Sequence, residues 1–488
     1  MTATLDTDVL VVGAGPVGLL LAGELRLGGA EVTVVDRQSA PTSQSRASTL
    51  HARTMEILDQ RGLLDELGDP PVDPMGHFGG IPVPLDVVAS PYQGQWKVPQ
   101  DRTEQFLAKW AIGLGARVHR GWELFDFDTE RHRVLAQLRG PDGHLAVRAR
   151  YLVGCDGEHS TVRHLLATEF PGADAKRELL RADVAGIEIP NRRFERLPAG
   201  LAIAARRPDG LTRVMVHEWH AAVREPGTEP TFAEVVAAWA RVTGEDIGGG
   251  TPVWVNAFGD ASRQVARYRV GRVLLAGDAA HVQMPVGGQA LNLGLQDAMN
   301  LGWKLASVIR GWTDPEILDS YHDERHAVGA EVLAGIAAQS LVLLGGPEVD
   351  PLRSVLTGLL EVDEVRARLA SVITGLGVDY SDGERGDGVL TGTRLPPTEL
   401  TTDTGATTTT ELLRPATGLL LRPGAAGRSP GLEGPWGHRV RTVHARAPME
   451  SVLSSFDTVL VRPDGYVAWT DRAGTDPRQA LTRWFGRP

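Results

Sequence analysis

The chain has 488 residues, 42% hydrophobic and 23% charged, which describes an ordinary globular protein with material for two or three domains. A formal net charge of −11 excludes a general nucleic-acid surface, which needs a basic stripe. The single cysteine, Cys155, excludes an intrachain disulfide, a four-thiolate zinc site and a Cys-x-x-Cys redox pair. No apolar run reaches the roughly 18–20 residues of a membrane span, and no signal peptide precedes Asp8-Val9-Leu10-Val11-Val12, so a reducing, cytoplasmic setting is expected.

Val9–Val12 reads as a fully buried parallel strand: short, continuous and β-branched. Gly13-Ala14-Gly15-Pro16-Val17-Gly18 follows, and Val17 to Leu27 then carries apolar residues on one helical face. Glu31–Val35 is a second strand ending at Asp36, which completes one βαβ unit. Ser45 to Leu67 has a helical pattern, with Met55, Leu58 and Leu63 as core residues. Residues 69–99 are rich in Pro and Gly and form an excursion from the first domain. Thr103 to Leu114 is helical. Val134–Arg139 and Leu145–Arg150 form a hairpin around Pro141-Asp142-Gly143, and Tyr151–Val153 returns to a buried strand.

The pattern then changes. Asp183–Ile189, Leu201–Ala205, Thr212–Trp219 and Val253–Phe258 read as strands and Phe232–Val242 as a helix, a mixed, antiparallel insertion able to cover a ligand. Val273–Leu275 resumes the first domain, followed by long helices over Leu291–Ile309 and Tyr321–Leu344. Residues 378–411, with Thr407–Thr410 uninterrupted, read as a connector. Strands at Asp457–Val461 and Tyr466–Trp469 mark a small last domain. The expected division is 1–180 and 266–390 for two parts of a dinucleotide-binding domain, 181–265 for the inserted sheet and 391–488 for the C-terminal domain.

Gly13-x-Gly15-x-x-Gly18, with a strand before it, a helix after it and an acid closing the next strand, is a dinucleotide fingerprint. Gly13 permits the tight turn, Gly15 lets backbone approach a pyrophosphate and Gly18 allows close helix–strand packing. Pro16 suits a first helical turn, and Asp36 suits the adenosine ribose. Two more motifs follow in order. One is Cys155-Asp156-Gly157-Glu158-His159-Ser160-Thr161-Val162-Arg163. The other is Ala276-Gly277-Asp278-Ala279-Ala280-His281, followed by Pro285-Val286-Gly287-Gly288-Gln289-Ala290-Leu291-Asn292. No second Gly-x-Gly-x-x-Gly follows a strand, so one dinucleotide has a dedicated site. The three motifs together point to one FAD held at its adenosine, pyrophosphate and ribityl-flavin ends. Asp278 would accept bonds from ribityl hydroxyls, and Gly287 and Gly288 would admit a flat ring. The helix from Ala290 would aim N–H groups at that ring's edge. The bland readings are a glycine-rich turn, a loop at Gly287-Gly288 and a helix cap at Asp278.

With these motifs in this order, the chain resembles the single-component class A flavoprotein aromatic hydroxylases, the p-hydroxybenzoate hydroxylase group. It is most similar to the actinobacterial hydroxylases that tailor angucycline and anthracycline polyketides. The similarity spans essentially the whole chain, including Gly76–Gly80, Tyr151–Ser160, Pro252–Phe258, Val273–His281, Leu318–Gly329 and Gly346–Leu352. It implies an α/β fold: a Rossmann-like FAD-binding domain, an inserted mixed β-sheet substrate domain and a C-terminal thioredoxin-like domain. Lacking Cys-x-x-Cys, that last domain would be redox-inert, a packing or homodimer element. The implied cofactors are tightly but non-covalently bound FAD, transient NADPH and O2, with no metal. The implied partner is a small polycyclic aromatic substrate, with neither nucleic acid nor membrane.

Carried over by position, Gly13, Gly15, Pro16 and Gly18 serve the pyrophosphate, and Asp36 and Arg37 the adenosine end. Arg46 would lie near pyrophosphate and incoming NADPH, and Gln100 would contact FAD. Asp156, in the family mark Asp156-Gly157, would serve both nucleotides. Asp278 would bind ribityl, while Pro285, Gly287, Gly288, Ala290, Leu291 and Asn292 would surround the isoalloxazine. The implied reaction passes through a flavin C4a-hydroperoxide, with the protein supplying orientation and exclusion of water. No catalytic side chain or general base is identified. His217 and His220 lie near the predicted substrate sheet, but a satisfied or solvent-facing role suits each better. Tyr92, Trp96, Trp219 and Trp254 are pocket or core aromatics, and His281 and Cys155 read as structural.

One residue departs from the family pattern Gly-Gly-Gln-Gly-Met/Leu/Ile-Asn: Ala290 stands where the fourth glycine is usual. Its Cβ would restrict ring approach or motion. It keeps open Baeyer–Villiger or ring-opening oxygenation, FAD-dependent dehydrogenation and a scaffold role without catalysis.

Overall fold

The computed structural model describes residues 3–41, 47–207, 209–225, 227–381, 390–423 and 435–488. At its centre five strands run parallel in the order Arg117–Arg120, Val32–Asp36, Ala3–Val12, Gly143–Gly154, Val273–Leu275. Val9, Val11, Leu152 and Val153 are fully buried, as expected for strands covered on both faces. Val12 pairs with Gly154, and Gly154 with Leu275. The three sequence motifs therefore leave the sheet at the carboxyl ends of three adjacent strands, where ligands of open α/β sheets bind.

The predicted hairpin strand and the buried strand after it are one element, Gly143–Gly154. Its first half pairs with Val134–Gly140 and its end with Val273–Leu275, both on the edge opposite Ala3–Val12. The change of partner, not a break in the strand, produces the change of pattern at Tyr151.

The predicted helix over Ser45 to Leu67 is corrected. Residues 42–46 lie outside the described residues; Leu50–His51 is a short strand paired with Gln95–Trp96, and the helix is confined to Ala52–Asp59. Met55, Leu58 and Leu63 are buried as expected. Long-range pairing fixes the backbone before Ala52, overriding a local helical pattern.

The inserted sheet has five antiparallel strands in the order Arg192–Leu197, Gly200–Arg206, Thr212–Glu218, Glu178–Ala185, Thr251–Gly259. Leu180, Ala182 and Val184 share a core with Val214, Val216 and Trp239 of the helix Phe232–Thr243. That helix starts at a reciprocal Thr231–Glu234 capping box. The opposite face carries Leu179, Arg181 and Asp183, with Met215 and Arg213 paired across from Arg181 and Asp183. The strand Arg192–Leu197 escapes sequence reading because its run of charges masks any apolar alternation.

Helices Gln289–Ile309 and Asp319–Leu344 follow the third motif. The stretch Pro315–Leu344 is long and apolar enough to cross a membrane by length and composition, but half of its most apolar window is buried in the protein, as in a core helix. Asp350–Leu359 is an amphipathic helix without a fully buried residue, and its apolar residues Leu352, Val355 and Leu359 are exposed. The connector is also corrected: Glu399–Thr402 and Gly405–Thr408 form a hairpin, and Thr408 caps the helix Thr409–Leu413 through Glu411. Residues 382–389 of that segment lie outside the described residues.

The last sheet pairs Gly418–Arg422 in parallel with Val440–His444 and antiparallel with Val459–Val461, which pairs with Val467–Thr470. Buried charges weld it to the rest. Arg61 donates to Glu24 at 2.5 and 2.8 Å and to the carbonyls of Leu413 and Pro463 at 3.0 Å. Arg462 reaches Glu324 at 2.6 Å and Asp464 at 2.5 Å.

Candidate functional site

A groove of about 260 Å³ opens where the first two motifs leave the sheet, lined by Gly13, Gly15, Asp36, Arg37, Gln100 and Asp156 among others. The helix Pro16–Leu27 begins there with Gly15 as its N-cap, no side-chain cap and no acid in its first turn. Its N–H groups and positive end are left to an anion. The glycines divide the work. Gly13 has φ +108°, and a Cβ there would stand 2.3 Å from the Cys155 carbonyl; one on Gly18 would stand 2.0 Å from the Gly13 carbonyl. A Cβ on Gly15 would meet nothing within 4 Å. Gly13 and Gly18 thus hold the turn together, while Gly15 keeps the space above the helix end clear. That cradle fits a pyrophosphate.

Asp36 accepts the Ala14 N–H at 2.7 Å and the Gln38 N–H at 2.8 Å, so it shapes the loop as well as facing the groove. Gln100 accepts the Ala47 N–H at 3.2 Å and donates to Glu104 at 3.1 Å. Asp156 accepts the Ser160 hydroxyl at 2.5 Å and the Val162 N–H at 3.1 Å, anchoring the start of the helix Thr161–Leu166. From that helix Arg163 donates to the Ala279 carbonyl at 3.0 Å, tying the second motif to the third.

A larger cavity of about 600 Å³ lies beyond the third motif. One wall is Pro285, Gly287, Gly288, Ala290 and Leu291; the facing wall includes Leu179, Arg181, Met215 and Phe258; Thr49 and His77 close a third side. Gly287 and Gly288 have φ 68° and 69°, two consecutive left-handed residues that turn the chain into the helix Gln289–Ile309. Asn292 secures this turn. Its Oδ1 accepts the His51 N–H at 2.9 Å and the Thr54 hydroxyl at 2.7 Å, and its Nδ2 donates to Thr49 at 3.0 Å and Gly288 at 2.7 Å. With its amide so engaged, Asn292 positions the wall from behind. Ala290 is the second residue of the helix and lines the cavity itself.

His77 is pushed down to about 4 by burial, so its ring is neutral at physiological pH. Its Nδ1 accepts the Gly80 N–H at 3.3 Å, which leaves the proton on Nε2. Cys155 is buried beside the groove and its thiol is pushed up by burial, consistent with an inert structural role.

The other predicted residues divide clearly. Arg46 lies outside the described residues. Asp278 is exposed in the turn Gly277–Ala279, and the described linings of groove and cavity are formed by other residues. His281 is turned away from Asp278 in function: its Nε2 is 2.8 Å from the buried Asp297, which Arg325 holds at 2.7 Å and which also accepts the Gly277 N–H at 3.1 Å. Asp297 therefore fixes the third motif from within the protein. Its sequence signal is a charge inside an otherwise apolar helical face.

His217 is buried with its ring nitrogens 2.7 and 3.0 Å from the Glu178 and Leu344 carbonyls, and His220 is exposed at φ 62°. Tyr92 and Trp96 pack on the central core, Trp219 donates to Leu197 at 3.1 Å and Trp254 lies under Arg181. Among the described residues, the aromatic rings that line the cavity are His77, Phe194 and Phe258. Arg181, Arg213, Met215 and His77 were not singled out in the sequence. Arg213 and Met215 were detectable as alternate residues of the predicted strand Thr212–Trp219, whereas Arg181 precedes the predicted strand Asp183–Ile189, which in the structure is Glu178–Ala185.

Comparison with known proteins agrees with this geometry. Residues 6–335 match the FAD binding domain family and residues 389–488 the aromatic-ring hydroxylase C-terminal family. A Streptomyces rimosus relative, the 12-dehydrotetracycline 5-monooxygenase/anhydrotetracycline 6-monooxygenase, is 39% identical over 99% of each chain. The dialkyldecalin synthase of Streptomyces rugosporus is 38% identical over 99% of each. The crystal structure of an aromatic hydroxylase from angucycline biosynthesis superposes with a TM-score of 0.94 at 46% identity, covering 99% of each chain. The glycine cradle, the motifs on adjacent strand ends and full-length similarity to monooxygenases together assign the chain: it belongs to the FAD-binding aromatic-ring hydroxylase family.

Proposed function

We propose that this chain uses FAD and NADPH to hydroxylate a polycyclic aromatic polyketide of the angucyclinone or anthracyclinone type in the cytoplasm. The reading is carried by the cavity of about 600 Å³ that has the Gly287–Leu291 turn on one side and the inserted sheet on the other. It is large enough for a flat cofactor edge with a fused-ring substrate against it. Bound FAD supplies electron transfer from NADPH and activation of O2 for oxygen transfer.

The chain's own residues bind and orient. The helix end above Gly15 takes the pyrophosphate, with Asp36, Arg37 and Gln100 along the adenosine side and Asp156 beside them. Arg46 and Asp278 are assigned by family position to NADPH approach and to ribityl. The uncapped start of the helix Gln289–Ile309 favours negative charge on the ring edge before it. Leu179, Met215, Phe258 and Leu343 give the substrate an apolar wall that excludes water. His77, neutral with its proton on Nε2, offers a hydrogen bond to a substrate oxygen.

The test is NADPH oxidation by the FAD-loaded protein with angucyclinones and anthracyclinones under isotope-labelled dioxygen. A labelled product whose NMR spectrum shows a new ring hydroxyl is expected. A labelled lactone would transfer the assignment to Baeyer–Villiger chemistry, and substrate-stimulated oxidation without label in the product would refute oxygenation. A second reading, ring formation without oxygen insertion, is favoured by one observation: the dialkyldecalin synthase is as similar to this chain as the tetracycline monooxygenase is, at 38% against 39%. Conversion of a polyene substrate without NADPH consumption would establish it.

A further inference from the structure

The cavity is unusually charged for a site reading as a slot for fused rings. Lys97, Arg181, Arg192, Arg193 and Arg213 line it, against one carboxylate, Asp73. Most of these cations are compensated. Arg192 pairs with Glu245 at 2.7 Å and Arg193 with Asp73 at 3.4 Å. Arg213 makes a two-pronged contact with Asp183 at 2.7 and 2.8 Å.

Arg181 differs. It is 2% exposed, and among the described residues its Nε and Nη2 have no hydrogen-bond partner. The carboxylate near it, Asp183, is 3.7 Å away, already engaged by Arg213 and by Arg207 at 3.0 Å. Three guanidinium groups thus share one buried carboxylate. Across the strand pair, Asn256 faces Arg181 in register, and its buried Oδ1 is also without a partner. Packing keeps the cation in place: its guanidinium lies 4.1 Å from the Trp254 ring centre and 5.6 Å from that of Phe258.

A buried cation short of negative charge is costly unless something completes it. A planar guanidinium packed against the Trp254 and Phe258 rings is restricted in its motion, and its fork suits a carboxylate, which offers two acceptor oxygens. We propose that Arg181 is a specificity-determining residue that selects substrates bearing a carboxylate on the end of the ring system seated against the inserted sheet. This deepens the proposed polyketide reading and rests on it. The uncompensated charge lies on the sheet wall, so it governs which substrate enters, whereas the Gly287–Leu291 wall serves the cofactor side.

The probes are rhein, a dihydroxyanthraquinone carboxylic acid, and chrysophanol, which has a methyl group in place of the carboxylate. Each is titrated into the FAD-loaded protein and followed by the change in flavin absorbance. Wild type should bind rhein tighter by about tenfold to a hundredfold, the span of one charge-assisted contact. Arg181→Gln should abolish that preference by weakening rhein alone, and Arg181→Lys should keep part of it. The wild-type comparison needs no variant, so a poorly folding Arg181→Gln does not remove the test. Equal binding of both probes by wild type overturns the inference and leaves the ring-binding cavity standing. Preference for rhein that survives Arg181→Gln also overturns it. Binding of neither probe refutes the inference together with the cavity reading.

Discussion

Gly15→Ala separates a glycine kept for the fold from one kept for the ligand. Gly15 has φ −76° and ψ 178°, an extended conformation open to any L-residue. A Cβ there meets nothing within 4 Å, so the protein without cofactor should tolerate the change. Lower chain entropy in the unfolded state should even stabilise it by about 0.4–1 kcal/mol. Gly13→Ala is the control: φ +108° and a Cβ 2.3 Å from the Cys155 carbonyl demand backbone movement. It should cost about 3 kcal/mol or more. The same methyl that is harmless at Gly15 occupies the space above the helix end, pushing a pyrophosphate off the N–H groups. Loss of one charge-assisted hydrogen bond is worth about 1.5–3 kcal/mol, so FAD affinity should fall on the order of tenfold to a hundredfold. Chemical denaturation of the apoprotein and FAD titration by quenching of flavin fluorescence measure the two effects separately. Wild-type FAD affinity in Gly15→Ala, or apoprotein destabilised as much as in Gly13→Ala, would refute the division of roles.

Other perturbations follow from the same geometry. Ala290→Gly should lower stability by about 0.5–1 kcal/mol through loss of helix propensity. It should also raise the product formed per NADPH oxidised; an unchanged ratio would show that the methyl does not hinder the ring. Burial pushes His51 and His77 down from 6.5 to about 4, so both are held neutral in the fold. Their contribution is complete above pH 6.5 and is lost as pH falls towards 4, with an upper bound of about 3 kcal/mol each. Denaturant titrations at stepped pH should show that slope, and His77→Gln should flatten it; a flat profile from pH 6.5 to 4 in wild type contradicts the burial argument. Arg61→Met strands Glu24 without a cation at the seam with the C-terminal sheet, and should cost about 3–5 kcal/mol. Adding Glu24→Gln should restore much of that loss, and equal melting of the single and double variants would count against the seam.

What could be read from sequence is local. Gly13, Gly15, Pro16 and Gly18 were legible because the turn, the close helix–strand contact, the helix start and the space for a phosphate each restrict residue type at a fixed spacing. The buried strands and the long helices were legible because periodicity records which face is apolar. The same reasoning failed at Ser45–Leu67, where pairing of Leu50 with Trp96 and the Asn292 bonds to His51 and Thr54 override the local pattern. It passed over Thr408-x-x-Glu411, a capping box hidden in a threonine-rich run that composition alone labels a connector.

By itself, then, the sequence determined the fold class, the dinucleotide cradle and the family, since each rests on short-range rules or on motif order. Only the tertiary structure decided what faces the cavity. Alternation could place Arg213 and Met215 on one face of a strand, but not tell whether that face meets water or a ligand, and the strand predicted to start at Asp183 left Arg181 out. What that face meets depends on Arg181, Asp183, Asn256 and Trp254 arriving in register from strands elsewhere in the sheet. Nor could it show that Asn292 is spent on holding the turn, because three of the four groups that use its amide come from about 240 residues away. Burial and hydrogen-bond completion are properties of the assembled neighbours, and those meet only when the chain has folded.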